Sequence, residues 1–102
     1  VYDDGLLRID LAQREVHLQG QLVALTRKEF ALLSLLAQQP GRLLTQPQLL
    51  REMWGPTHEE DAHYLRILVG KLRHKLGDDA AAPQYIITEP GVGLRFIGRS
   101  GI

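Results

Sequence analysis

The sequence has no cysteine in its 102 residues. That excludes a disulfide framework, a thiolate nucleophile and any cysteine-ligated metal. It has no excess of either charge, because twelve Lys and Arg balance twelve Asp and Glu. A chain so balanced is expected to bind nucleic acid without regard to sequence only weakly. It has no apolar run near the roughly 20 residues that a membrane-spanning helix needs. Its first residues lack the basic-then-apolar pattern of a signal or transit peptide. What remains is ordinary globular composition, 44% hydrophobic and 24% charged, which argues against disorder. The expectation is one soluble, cytoplasmic domain over residues 1–102, with a modest core that needs no staple.

The neutral total hides a segregation. Residues 1–61 carry a net charge of −3 and residues 62–102 a net charge of +3. An electrostatic footprint requires this kind of local excess rather than a charged total. A difference of this size also arises by chance, so it carries weight only beside other signals.

The periodicity changes twice along the chain. Leu7, Ile9 and Leu11 alternate with polar or small neighbours, as do Val16 and Leu18, and Leu22 to Leu25 follow the turn at Gln19-Gly20-Gln21. A period of two predicts an antiparallel meander of three or four strands. Thr26 and Glu29 then form a capping-box pattern before Phe30, Leu33, Leu36 and Ala37, which recur at helical spacing up to Pro40-Gly41. Leu43-Leu44 reads as a short extended link. Thr45, Pro47 and Gln48 open a second helix that ends at Gly55-Pro56. A third helix runs from about Asp61 to Leu76, with Gly77 as its stop. Tyr85 to Thr88 and Leu94 to Ile97 are strand-like, joined by Glu89-Pro90-Gly91-Val92-Gly93. The predicted class is α+β. It is a winged helix-turn-helix with an N-terminal antiparallel sheet, three helices and a C-terminal β-hairpin wing, an architecture that binds DNA.

On a helical wheel of about 100° per residue, Leu65, Leu68, Val69, Leu72 and Leu76 share the arc that faces the core. His63, Arg66, Ile67, Gly70 and His74 share the opposite arc, with Lys71 and Arg73 on its shoulders. Ile67 and Gly70 are poor choices for a merely solvated face, since Gly costs about 1 kcal/mol relative to Ala inside a helix. Both suit a face against which something packs. Ile meets a thymine methyl, and Arg66 reaches guanine or a phosphate. Lys71, Arg73 and His74 are phosphate candidates. A lone exposed Ile is nevertheless common, and a helical Gly can simply relieve crowding.

The motifs Thr26-x-x-Glu29-Phe30-x-Leu32-Leu33, Leu44-Thr45-x-x-Gln48-Leu49-Leu50-x-x-x-Trp54-Gly55, Leu72-Arg73-x-Lys75-Leu76 and Gly91-x-Gly93-Leu94-Arg95-Phe96 resemble the OmpR/PhoB-type output domain of bacterial response regulators. The resemblance covers residues 6–98 in order. Residues 63–70 look most similar to the branch that regulates potassium-uptake genes. The resemblance implies a third helix in the major groove and a wing on the adjacent minor groove. It carries DNA contact over to His63, Tyr64, Arg66, Ile67, Gly70, Lys71 and Arg73, to Trp54, and to Thr88 and Gly91 in the wing. It implies that the loop Pro56, Thr57, His58, Glu59 and Glu60 contacts RNA polymerase. It further implies direct-repeat half-sites that hold a second copy, and a sensor kinase acting through a receiver domain absent from this chain. Pro90 stands where the family often has a basic wing residue. Leu94 stands where the family usually has an aromatic.

Other chemistries are weaker. His58 and His63 near Glu59, Glu60 and Asp61 lack the one-face spacing of a helical metal site, so no metal or cofactor is expected. Asp78-Asp79 reads as a solvated acidic pair in a loop. Ser34 and Ser100 have no triad context, and no enzyme is expected. The alternative class is a winged helix that docks on protein and touches no DNA; Arg66, Lys71 and Arg73 favour phosphate over it.

Overall fold

The computed structural model describes residues 2–58 and 62–98. Four short strands form an antiparallel sheet in sequence order: β1 (Tyr2–Asp3), β2 (Leu7–Asp10), β3 (Glu15–Leu18) and β4 (Gln21–Leu22). Leu7 pairs with Leu18 and Ile9 with Val16. Leu7, Ile9 and Val16 are all buried, which accounts for the alternation. The fourth strand is shorter than its apolar run predicts. It stops at Leu22, although the Val23 amide still donates to Val16 at 2.8 Å.

Helix α1 (Arg27–Ala37) begins at the Thr26 cap with both bonds of the box in place. The Glu29 amide donates to Thr26 Oγ1, and the Thr26 amide donates to Glu29 Oε1. The helix is central, with Phe30, Leu32, Leu33 and Leu36 buried. Helix α2 (Gln46–Trp54) starts at Thr45, whose hydroxyl accepts from the Gln48 amide. A 3-10 turn follows at Pro56–His58. Helix α3 (Ala62–Leu76) buries Leu65, Leu68, Val69, Leu72 and Leu76, the five residues of the predicted core arc. Glu59, Glu60 and Asp61 lie outside the described residues.

Leu43-Leu44 is more than a link. Leu43–Thr45 is a strand, β5, which pairs antiparallel with β7 (Gly93–Phe96), and β7 pairs in turn with β6 (Ile86–Glu89). The wing is therefore part of a three-stranded sheet in the order β5-β7-β6. Gly93 makes this possible, since a Cβ there would sit 2.0 Å from the Leu44 carbonyl oxygen. At the wing tip Gly91 has φ +73 and the Val92 amide donates to Glu89 at 2.9 Å. That is a tight turn with Pro at its second position and Gly at its third. Leu94 is buried opposite Leu44.

Candidate nucleic-acid interface

Helix α3 is held by side chains in its last two turns. Lys75 Nζ reaches Glu29 Oε1 at 2.6 Å and the Ala24 carbonyl at 3.0 Å, tying it to the start of α1. Glu29 is buried. Burial alone would raise its carboxyl; the bonds from Lys75 and Thr26 outweigh that and hold it below the ordinary value. On the opposite flank, Arg73 Nη2 donates to the Ile86 carbonyl at 2.8 Å and to Thr88 Oγ1 at 2.7 Å. Burial pulls the Arg73 guanidinium down from its usual value, and the nearby Asp78 charge partly restores it.

Between these anchors the outer face of α3 is open. His63, Tyr64, Arg66, Ile67, Gly70, Lys71 and His74 are all exposed, with Ile67 at 55% and Tyr64 at 41%. Two hollows flank this ridge. One is a narrow crevice of about 80 Å³ toward the wing, bordered by Arg66, Val69, Arg73, Thr88 and Leu94 among others. The second is an open groove of about 640 Å³ toward α1, bordered by Thr26, Glu29, Ile67, Gly70, Lys71 and His74 with Arg66 and Lys75. Arg66 borders both, so it stands on the crest. An added Cβ at Gly70 would meet nothing within 4 Å. No crowding among the described residues explains that glycine.

The remaining site residues lie around the ridge. Trp54 is half-buried at the end of α2, its ring 6.0 Å from that of Tyr64, which lies 4.1 Å from His63. Lys28 lies over Trp54, 4.9 Å from the ring centroid, and its Nζ also donates to the Met53 carbonyl. Thr88 and Gly91 are exposed on the wing. Pro56 and Thr57 are exposed in the 3-10 turn that follows α2. His63, Tyr64, Arg66, Ile67, Gly70 and Lys71 are thus brought onto one face, with Trp54 beside it. Arg73 is set apart, with its guanidinium turned toward the wing.

Two features escape the sequence pattern. Lys28 joins the aromatic cluster through a packing of α1 on α2 that no local signal announces. Asp78 is not solvated: it is 8% exposed, and it accepts from the amides of Gln84 at 2.7 Å, Tyr85 at 3.3 Å and Ile86 at 2.9 Å. The carboxylate stays buried because three backbone donors replace its water. Its position just after the stop residue Gly77 and shortly before a hairpin is the one cue available. Asp79 is exposed and holds only its own turn.

Comparison with known proteins agrees with this architecture. The family described as "Transcriptional regulatory protein, C terminal" matches residues 20–96. The KDP operon transcriptional regulatory protein KdpE of Escherichia coli (strain K12) is 49% identical over 89 residues, covering 87% of this chain and 40% of that protein. The Klebsiella pneumoniae RstA DNA-binding domain, solved in complex with RstA box, superposes with a TM-score of 0.84 at 32% identity, covering 94% and 95% of the two chains. DrrB of Thermotoga maritima, an OmpR/PhoB homolog, superposes with a TM-score of 0.83 at 35% identity, covering 95% of this chain and 44% of that one. The chain spans about two fifths of the length of the curated relatives it matches. This chain belongs to the transcriptional regulatory protein C-terminal family, as a winged-helix DNA-binding domain of the OmpR/PhoB response-regulator type and similar to KdpE.

Proposed function

We propose that this domain reads a specific duplex sequence by laying the outer face of α3 in the major groove and the β6–β7 wing on the adjacent minor groove. The observation that carries this reading is the exposed ridge itself, in which Arg66 stands between two hollows and Ile67 and Gly70 offer an apolar, unobstructed surface. Arg66 supplies base-edge hydrogen bonds, and Ile67 packs on a thymine methyl. Tyr64 works at the edge of the same patch. Lys71, His63, Trp54, Thr88 and Gly91 position the backbone. The Thr88 hydroxyl accepts from Arg73 and keeps its own proton to donate to a phosphate.

Two of the four cations of α3, Arg73 and Lys75, are engaged within the protein. Only Arg66 and Lys71 face outward as exposed cations on this helix. The helix is therefore expected to contribute a shallow salt slope, at most about −2 per half-site and nearer about −1 with Arg66 on a base edge. Specificity rests on base contacts and shape more than on charge.

The same reading extends to partners. A second copy binds a direct repeat about one helical turn away. The loop Pro56–Glu60 meets RNA polymerase, and a sensor kinase acts through a receiver domain outside this chain. Similarity to a KDP operon regulator supports control of potassium-transport genes in the bacterial cytoplasm.

Selection of bound duplexes from a random pool, followed by affinity measurements between 50 and 200 mM salt, tests the reading. Arg66→Ala should cost about 1–3 kcal/mol and relax preference at one base position. Lys71→Ala should weaken all sequences alike and reduce the salt slope by about one. Failure to enrich any duplex would instead favour a winged helix that docks on protein.

A further inference from the structure

We propose that Arg73 and Asp78 form a clamp that sets the angle between α3 and the wing, so that Arg73 acts as a positioning residue rather than a phosphate ligand. The proposal deepens the DNA-binding reading and rests on it for its functional consequence. The clamp closes on one residue. Arg73 Nη2 holds the Ile86 carbonyl at 2.8 Å, and Asp78 Oδ2 holds the Ile86 amide at 2.9 Å. Both backbone polar groups of a fully buried residue are therefore held by side chains from the end of α3 and the turn after it. Asp78 also gathers the amides of Gln84 and Tyr85, and Arg73 also reaches Thr88 Oγ1. Two charged side chains thus add a direct tie between α3 and β6 to the pairing of β7 with β5.

The location gives the clamp its consequence. It lies beside the narrow crevice between α3 and the wing, where Arg73 and Thr88 face each other. A rotation of β6 about Ile86 would widen that crevice and move Thr88 and the wing tip away from α3. The duplex contacts both elements at once, so a fixed angle removes an ordering cost at binding. A guanidinium suits this task, because both bonds leave Nη2, whose two N–H groups are fixed in the guanidinium plane. A lysine at position 73 keeps the charge and loses that planar geometry.

The test uses Arg73→Lys, Arg73→Ala and Thr88→Val. In the free protein, hydrogen exchange at the wing amides is read for Arg73→Lys and Thr88→Val. In complex with a selected duplex, affinity against salt is read for the two Arg73 variants. Exchange at residues 86–88 should rise in both variants, more in Arg73→Lys. Affinity should fall about tenfold in Arg73→Lys and Arg73→Ala alike, with the wild-type salt slope retained. Unchanged wing exchange in both variants would overturn the clamp. So would a wild-type affinity in Arg73→Lys together with a slope reduced by about one in Arg73→Ala, the signature of a phosphate ligand. Loss of the DNA-binding reading itself would appear as no selected duplex for the wild type. The exchange measurement decides the clamp in either case.

Discussion

The two ends of helix α3 carry similar residues and use them differently. Toward its start and middle, Arg66 and Lys71 are exposed beside Ile67 and Gly70. In its last turns, Arg73 and Lys75 reach back into the protein, one to β6 and one to the buried Glu29. The difference follows from what each side chain finds within reach. Arg73 and Lys75 flank Leu72 and Leu76, so their stems leave the helix beside the core, where carbonyls and a carboxylate wait for donors. Arg66 and Lys71 leave on the side where the described residues keep them exposed. Counting charge along a helix therefore overstates the charge available to a ligand. The anchored end ties the helix to β6 and α1, and the free end gives it a surface to present.

Breaking the anchored end should have the larger effect. Glu29→Gln removes the charged partner of Lys75 and weakens the cap of α1. It should lower stability by about 1–2 kcal/mol at neutral pH in urea unfolding, the lower part of the range reflecting that Lys75 is a third exposed. Because the folded-state carboxyl is held below its usual value of about 4.5, its contribution is complete above that value and is lost as pH falls through the lowered one. The gap between wild type and variant should therefore narrow below about pH 4.5. A gap independent of pH would mean that the Glu29–Lys75 charge pair contributes nothing.

Changing the free end should have a smaller and opposite effect. Gly70→Ala meets no neighbour and gains helix propensity, so it should raise stability by about 0.5–1 kcal/mol. The same methyl stands where the duplex would approach, so DNA affinity should fall while the unfolding midpoint rises. A variant that is both more stable and equally tight in binding would remove Gly70 from the interface.

Much of this fold is legible in local sequence. Thr26 with Glu29 and Gly77 after Leu76 mark helix ends because caps are satisfied within a turn. The apolar arc of α3 is equally local. What escapes is what depends on distant partners. Leu43-Leu44 becomes a strand only because Gly93 lets β7 come close, some fifty residues later. Asp78 reads as solvated until three amides of a folded hairpin surround it. On a helical wheel Lys71 and Arg73 occupy matching shoulders. Only the placement of β6 beside one of them turns Arg73 into a strut. The outward set His63, Tyr64, Arg66, Ile67 and Gly70 is readable because exposure on a helix follows from periodicity. The ring contacts of Trp54 with Tyr64 and Lys28 are not, because they join three helices.

The outward side of α3 is expected to meet a duplex. Amide shifts recorded while a selected duplex is added to the isotope-labelled domain decide this. Saturable shifts are expected at Arg66, Ile67, Gly70 and Lys71 and at the wing tip around Gly91, with the N-terminal sheet silent. Shifts confined to the sheet, with α3 unmoved, would contradict it.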